Sequence, residues 1–224
     1  MIIAAQPRVG THMVRTALNT HPSIHVHTEI FNGNLFAGSL AETTAPMLVA
    51  NHADFCLHVF DPCDLEGRWP WWSRQLDLYD MLREEELPAV ILTRRNKLLQ
   101  AISYIRAERT GIYHRMRGPS KRNEIICPPW QVISLIEQFE RADAYAHELF
   151  SHAKVFVYED FLHDPVACYE RLQCVFGLPY RDDMRPQTHR LSKQPLADSI
   201  ENYEILSQAL AGTRHEHYLE SVDA

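Results

Sequence analysis

The residues with the clearest chemical potential lie close to the start of the chain. The segment QPRVGT (residues 6–11) follows a short apolar run, and a helical pattern begins directly after it. A loop between a strand and a helix presents free backbone N–H groups and the positive end of the helix dipole, which together bind anions. Gly10 allows a close approach of the backbone, and the Thr11 hydroxyl adds a donor. The segment therefore predicts a phosphate loop.

This loop lacks the lysine of a nucleoside triphosphatase. The pattern GxxxxGK[ST], whose lysine binds the β- and γ-phosphates and whose hydroxyl binds magnesium, is absent from the sequence. Arg8 stands instead before the glycine. A nucleotide kinase or triphosphatase of the wider P-loop class stays open as a second hypothesis. A non-catalytic nucleotide- or glycan-binding protein of the same fold is the third.

Two further motifs follow predicted strands. Arg95 comes just after the β-branched run AVILT, and Ser103 lies eight residues later in a predicted helix. Tyr158 ends the run KVFVY, and Asp164 and Pro165 then suit the cap and first turn of a helix. Ligands of open α/β sheets bind at the carboxyl ends of the strands. We therefore expect these side chains to converge on one anionic ligand.

The positions of these motifs require alternating strands and helices. We predict strands at 2–5, 24–27, 55–60, 89–93 and 154–158. We predict helices at 11–20, 73–86, 98–109, 130–150, 165–176 and 200–210. Such alternation is typical of a parallel sheet covered on both faces. The predicted fold class is α/β, a P-loop-type open parallel sheet flanked by helices, in one domain over 1–224. The basic segment 106–129 is predicted to be a mobile excursion.

Composition bears on the binding partners and the cellular location of the protein. The 224-residue chain has a formal net charge of −7, which argues against a general nucleic-acid binder. Its cysteines number five, an odd count, and no CxxC occurs, so we expect reduced thiols and a cytoplasmic location. No apolar run approaches the roughly 18–20 residues that span a bilayer.

Taken together, the motifs resemble those of the PAPS-dependent sulfotransferases, where PAPS is 3′-phosphoadenosine-5′-phosphosulfate. PRVGTHMVRTALNTHP resembles the 5′-phosphosulfate loop of that family, and RRNKLLQAIS resembles its 3′-phosphate motif. YEDFLHDPVACYERLQCVFGLP is similar to the segment whose tyrosine lies at the adenine, and SKQPLADSIENYEIL to a segment that closes over the nucleotide. The likeness is greatest to bacterial carbohydrate sulfotransferases of the nodulation-factor and trehalose type.

The resemblance implies a reaction and a set of site residues. A sulfuryl group would pass in line from PAPS to a hydroxyl of a glycan, glycolipid or other small acceptor, releasing adenosine 3′,5′-bisphosphate (PAP), and no metal is required. Arg8 would face the bridging oxygen, and Glu29 would be the base. The implied donor-binding residues are Arg8, Val9, Gly10, Thr11, His12, Met13, Arg95, Ser103, Tyr158, Ser192 and Lys193. Contact with the acceptor is expected at Glu29, His58 and Trp71.

Three positions depart from the family pattern. Val9 replaces a serine of the loop, His12 replaces a serine or threonine, and Lys97 stands where the animal enzymes carry proline. The first two remove hydroxyl donors, so the backbone N–H groups would carry more of the binding.

A metal site is the rival interpretation of one stretch. His25, His27 and Glu29 alternate, so an extended chain would place them on one face, and two histidines with a carboxylate can bind a metal. His215 and His217 also alternate near the C-terminus, where we expect a polar tail.

Overall fold

The computed structural model describes residues 2–27, 53–58, 88–112, 125–186 and 196–220; for residues 27 and 53–58 it describes the backbone alone. Within these residues, five strands form one sheet. The strands are β1 (Ile2–Ala5), β2 (His25–His27), β3 (Ala53–His58), β4 (Ala89–Thr93) and β5 (Lys154–Val157). The order is β2-β3-β1-β4-β5, and every neighbouring pair is parallel. The predicted open parallel sheet is confirmed.

Helices connect and cover these strands. In chain order they are α1 (Thr11–Leu18), α2 (Lys97–Thr110), α3 (Pro129–Leu149), α4 (Tyr158–His163), α5 (Pro165–Val175), α6 (Tyr203–Leu210) and α7 (His217–Glu220). A 3₁₀ turn occupies Leu196–Asp198. The predicted helix at 73–86 lies outside the described residues. Among the described residues, no helix is long and apolar enough to cross a bilayer.

The sheet order places a topological switch at β1. From β1 the chain proceeds to β2 and β3 on one side, and then to β4 and β5 on the other. Ala5 at the end of β1 pairs with Leu92, and Thr93 at the end of β4 pairs with Val157. The segments that follow β1, β4 and β5 therefore lie side by side, where open α/β sheets bind ligands.

Two apolar clusters hold this arrangement. One packs α1 and α5 against the sheet face formed by Ile3, Ala5, Val90 and Leu92. On the other side of the sheet, α3 contacts β1 and β4 and packs on α2. The second cluster joins α2 and α3 to the C-terminal helices. Within α3, Ile136 and Phe139 are buried, whereas Ile133 is only half-buried.

The described residues shorten the predicted excursion at 106–129 at both ends. Helix α2 continues to Thr110, because its buried residues recur at helical spacing as far as Ala107. At the other end, Ile125 forms a parallel bridge with Ile200, and α3 begins at Pro129. Residues 113–124 lie outside the described part of the chain.

Arg106 shows why the start of this segment is ordered despite its charge. Its Nη2 donates to the carbonyl oxygen of Ser199 at 3.2 Å. Burial lowers the pKa of Arg106 and raises the pKa of the neighbouring Cys127 thiol to about 11. The last predicted helix begins at Tyr203 rather than at residue 200, because Ile200 takes part in the bridge with Ile125.

Candidate functional site

The loop after β1 has the backbone of an anion site. Arg8 and Gly10 both adopt positive φ, of 69° and 88°, and Gly10 is the N-cap of α1. The first helical bond runs from the N–H of Val14 to the carbonyl oxygen of Gly10 at 3.1 Å. The N–H groups of the first turn precede this bond, so they are the donors that a helix N-terminus offers to an anion.

The side chains of the loop divide into structural and polar ones. Val9 is fully buried in the core, which accounts for valine where the family has a hydroxyl: the position anchors the loop and leaves only its backbone for a ligand. Thr11 is also buried, and Met13 packs against the same core. His12, on the first turn of α1, accepts through Nδ1 a hydrogen bond from Arg15 Nη2 at 2.7 Å.

Arg8 and Ser103 meet across the site. The Nε of Arg8 donates to Ser103 Oγ at 3.1 Å, although the two residues are 95 positions apart. The structure thus joins the predicted phosphate loop to the predicted phosphate helix. Arg8 is partly buried.

Tyr158 packs against the phosphate loop at Gly10. It is the first residue of α4 rather than the last of β5, since the strand ends at Val157. A Cβ placed on Gly10 would lie 2.5 Å from Tyr158 Cδ2. The guanidinium of Arg94 lies 5.0 Å from the centre of the Tyr158 ring, a cation–π contact. Arg94 Nη1 also contacts the carbonyl oxygen of Arg8 at 3.5 Å.

Glu159 fixes the turn after β4. Its carboxylate accepts from the backbone N–H groups of Arg95 at 2.9 Å and of Asn96 at 3.4 Å. It also forms an ion pair with Arg94, with 3.6 Å between Nε and Oε1. One carboxylate therefore binds the backbone of this turn and pairs with its arginine. This role of Glu159 was not predicted from the sequence.

Asp160 forms an ion pair with the guanidinium of Arg95. The distance from Arg95 Nη2 to Asp160 Oδ1 is 2.8 Å, and the side chains are 64% and 45% exposed, respectively. Arg95 pairs with Asp160 and Ser103 pairs with Arg8, so the convergence of Arg95 and Ser103 on one anion stays a prediction. Both residues still belong to elements that begin at the same sheet edge.

Several predicted site residues lie beyond what the structure describes. They are Glu29, Trp71, Ser192 and Lys193; His58 is described only by its backbone in β3. Their roles stay predictions.

The metal hypothesis has no support within the described ranges, where no three His, Cys, Asp or Glu side chains form a metal-binding group. His25 is exposed, and Glu29 lies outside the described residues.

The expected polar tail is wrong for His215, which is 3% exposed. It lies between Glu137 and Glu140, with N–O distances of 3.6 and 3.5 Å, and stacks on Tyr218.

The structure is similar to solved sulfotransferases. It matches mouse sulfotransferase SULT7A1 complexed with PAP at a TM-score of 0.51 and 13% identity, over 81% of this chain and 60% of that one. The chain therefore has the sulfotransferase fold, as the motifs predicted. It spans less than two thirds of the mouse protein. The sulfotransferase from Alicyclobacillus acidocaldarius matches at a TM-score of 0.47 and 16% identity, over 98% and 95% of the two chains.

A curated relative is similar over the full length. Nodulation protein H of Rhizobium tropici is 27% identical, in an alignment that covers all of this chain and 94% of that protein. This confirms the resemblance that the motifs indicated. No family model matches the chain.

Proposed function

We propose that the protein is a PAPS-dependent sulfotransferase. It transfers the sulfuryl group of PAPS to a hydroxyl of a glycan, a glycolipid or another small acceptor, and it releases PAP. The enzyme class is the one that the sequence predicted and that both kinds of comparison support. The cysteine pattern of the sequence supports a cytoplasmic location.

The observation that carries the proposal is the contact between Arg8 and Ser103 beside the N-terminus of α1. Backbone donors, a permanent positive charge and a hydroxyl meet at the topological switch of the sheet. A phosphosulfate presents several anionic oxygens in a row, so it suits such a set of donors. The lysine that a nucleoside triphosphate requires is absent.

The turn after β4 is the proposed site for the second anionic end of PAPS. Arg95 is exposed there and its guanidinium pairs with a partly exposed carboxylate, so a 3′-phosphate can exchange with Asp160. The aromatic ring of Tyr158 lies between the loop and this turn, which supports the proposal that it contacts the adenine.

In the proposed reaction, the acceptor oxygen attacks sulfur in line, and the bond between sulfur and the bridging oxygen of the 5′-phosphate breaks. The guanidinium of Arg8 donates hydrogen bonds to the bridging oxygen and stabilises the charge that develops on it. Arginine remains protonated throughout, so it acts as an electrostatic clamp and not as an acid. Glu29, by resemblance, takes the proton of the acceptor hydroxyl.

The acceptor is proposed from similarity alone. The full-length likeness to Nodulation protein H and the motifs shared with bacterial carbohydrate sulfotransferases favour a glycan or glycolipid. Trp71 and His58 are the proposed acceptor contacts.

Incubation with PAPS carrying radiolabelled sulfur, against separated glycan and lipid fractions of a bacterial lysate, tests the transfer. We expect label in a hydroxylated acceptor together with stoichiometric PAP. Label that appears equally with the Arg8→Ala variant, or no labelled acceptor in any fraction, would contradict the proposal.

A further inference from the structure

A buried ionic cluster lies directly beneath the phosphate loop and is not part of the predicted donor contacts. Its members are Lys97 and Gln100 on the first turn of α2, Thr93 at the end of β4 and Asp143 on α3. Lys97 is 6% exposed and Gln100 is fully buried. A buried lysine at this depth is rare and needs partners for its whole charge.

Each donor of the Lys97 ammonium has a partner. Its Nζ forms an ion pair with the carboxylate of Asp143, and it donates to Thr93 Oγ1 at 3.0 Å and to Gln100 Oε1 at 3.4 Å. The Thr93 hydroxyl in turn donates to Asp143. The amide of Gln100 is thereby held in one orientation, with its oxygen toward Lys97 and its nitrogen directed away.

That nitrogen reaches the phosphate loop. Gln100 Nε2 donates to the carbonyl oxygen of Pro7 at 2.9 Å. The peptide group that begins with this carbonyl ends at the nitrogen of Arg8. On the other side, Arg94 Nη1 contacts the carbonyl oxygen of Arg8. The peptide groups on both sides of Arg8 are therefore held by side chains from the neighbouring strand–helix unit.

Arg8 needs this support because its backbone is strained. Its φ of 69° lies in the left-handed region, and it is the only residue other than glycine with positive φ in the described part of the chain. Such a conformation persists only where the surroundings determine it, and such residues cluster at functional sites. The left-handed backbone also sets the direction of the Arg8 side chain toward Ser103.

We propose that Gln100, oriented by Lys97, is a positioning residue that holds Arg8 in its strained conformation and so aims the guanidinium at the bond that breaks. This inference rests on the proposed function. It also accounts for Lys97, which stands where the animal sulfotransferases carry proline: this chain sets the loop through an ammonium and an amide.

The primary test replaces Gln100 with methionine, which keeps the volume and removes the donor. The rate is measured as acceptor-independent hydrolysis of PAPS to sulfate and PAP, and PAP affinity is measured by calorimetry. We expect Gln100→Met to lower the hydrolysis rate roughly tenfold or more, with the PAP Kd changed less than about threefold. Gln100→Glu, which keeps the contact with Lys97 but sets a carboxylate against the Pro7 carbonyl, is expected to lower the rate at least as much.

The matched control is Gln173→Met. Gln173 is also buried, and its amide also bonds backbone groups, those of Tyr169 and Arg181, within and beyond α5. We expect this control to lower Tm and to leave the PAPS hydrolysis rate within about twofold of wild type, since a merely structural amide does not orient Arg8.

A double-mutant cycle separates positioning from stability. In the Gln100→Met background, Arg8→Ala should cost much less than it does in wild type, because the guanidinium is already misaligned. Should Gln100→Met fail to fold, the charge-neutral pair Lys97→Met with Asp143→Leu replaces it, since a buried ion pair can be exchanged for apolar residues with little loss of stability.

The outcomes distinguish the positioning role of Gln100 from the proposed sulfotransferase function. Wild-type hydrolysis rates in Gln100→Met, or effects of Gln100 and Arg8 that simply multiply, overturn the positioning role while the sulfotransferase stands. Absence of PAP binding and of PAPS hydrolysis in the wild-type protein overturns both.

Discussion

The ring of Tyr158 lies against the backbone of Gly10, so closely that a Cβ on Gly10 would come within 2.5 Å of Cδ2 and 2.9 Å of Cε2. Gly10 lies in the loop after β1, and Tyr158 begins the helix directly after β5; the two strands are separated by β4. The contact therefore brings a phosphate loop and an aromatic platform together across the central strands. Glycine is required here both for its positive φ and for the space that the ring takes.

This contact gives the first prediction. Gly10→Ala should raise the PAP Kd at least tenfold, because the ring or the loop must move, and it should cost about 1 kcal/mol or more in backbone strain. Gly177→Ala is the matched control: Gly177 also has positive φ, of 62°, but open space around its Cβ position. Calorimetric titration with PAP checks both variants. Equal affinities for the two would remove the Tyr158 contact from the donor site.

The second prediction concerns the proposed chemistry. Arg8→Ala and Glu29→Ala should each lower kcat by roughly 10²-fold or more, because one removes the charge at the leaving oxygen and the other removes the base. Initial rates with PAPS and an identified acceptor measure this. Arg181→Ala, which removes an exposed arginine paired only with Asp183 among its described partners, should leave kcat unchanged. Near-normal turnover by Glu29→Ala would show that another residue is the base.

The third prediction concerns competition for Arg95. Because Asp160 must release the guanidinium before a 3′-phosphate binds it, Asp160→Asn should tighten PAP binding about two- to fivefold, as expected for an exposed ion pair. Arg95→Ala should weaken PAP binding. Titration at low and at physiological salt measures both. Weaker binding by Asp160→Asn would mean that Asp160 orients Arg95 and does not compete for it.

The fourth prediction concerns Glu159. Its replacement by alanine leaves the N–H groups of Arg95 and Asn96 without their acceptor, so the free energy of unfolding should fall by about 2 kcal/mol. The PAP Kd should rise as well, because the turn that carries Arg95 is released. Asp164→Ala, which removes the cap of α5, should cost about 1 kcal/mol and leave PAP binding unchanged. Denaturant unfolding and PAP titration test the pair; unchanged PAP affinity in Glu159→Ala would limit Glu159 to stability.

Local sequence signals predicted the framework well. The run AVILT gave the bounds of β4, and Asp164 with Pro165 gave the start of α5, since a buried β-branched segment and a capped helix start each have their own pattern. The parallel sheet followed from the alternation of such elements.

The contacts between distant loops were not predictable in the same way. Arg94, Glu159 and Lys97 resemble ordinary solvated charges in sequence, and their partners depend on which strands pair. Glu159 meets the turn after β4 only because β5 adds beside β4 in parallel register. The basic charges from residue 106 onward suggested an excursion that overlapped the predicted helix, whereas the burial of Ile105 and Ala107 keeps the segment helical to Thr110.

The most direct test of the central claim compares the change in Tm on adding PAP with the change on adding ATP and magnesium at equal concentration. A ligand at 100 times its Kd stabilises the native state by about 2.7 kcal/mol. The account predicts that PAP raises Tm clearly and that ATP with magnesium raises it much less, because the loop carries Arg8 and lacks a Walker lysine. A larger stabilisation by ATP with magnesium would contradict the account.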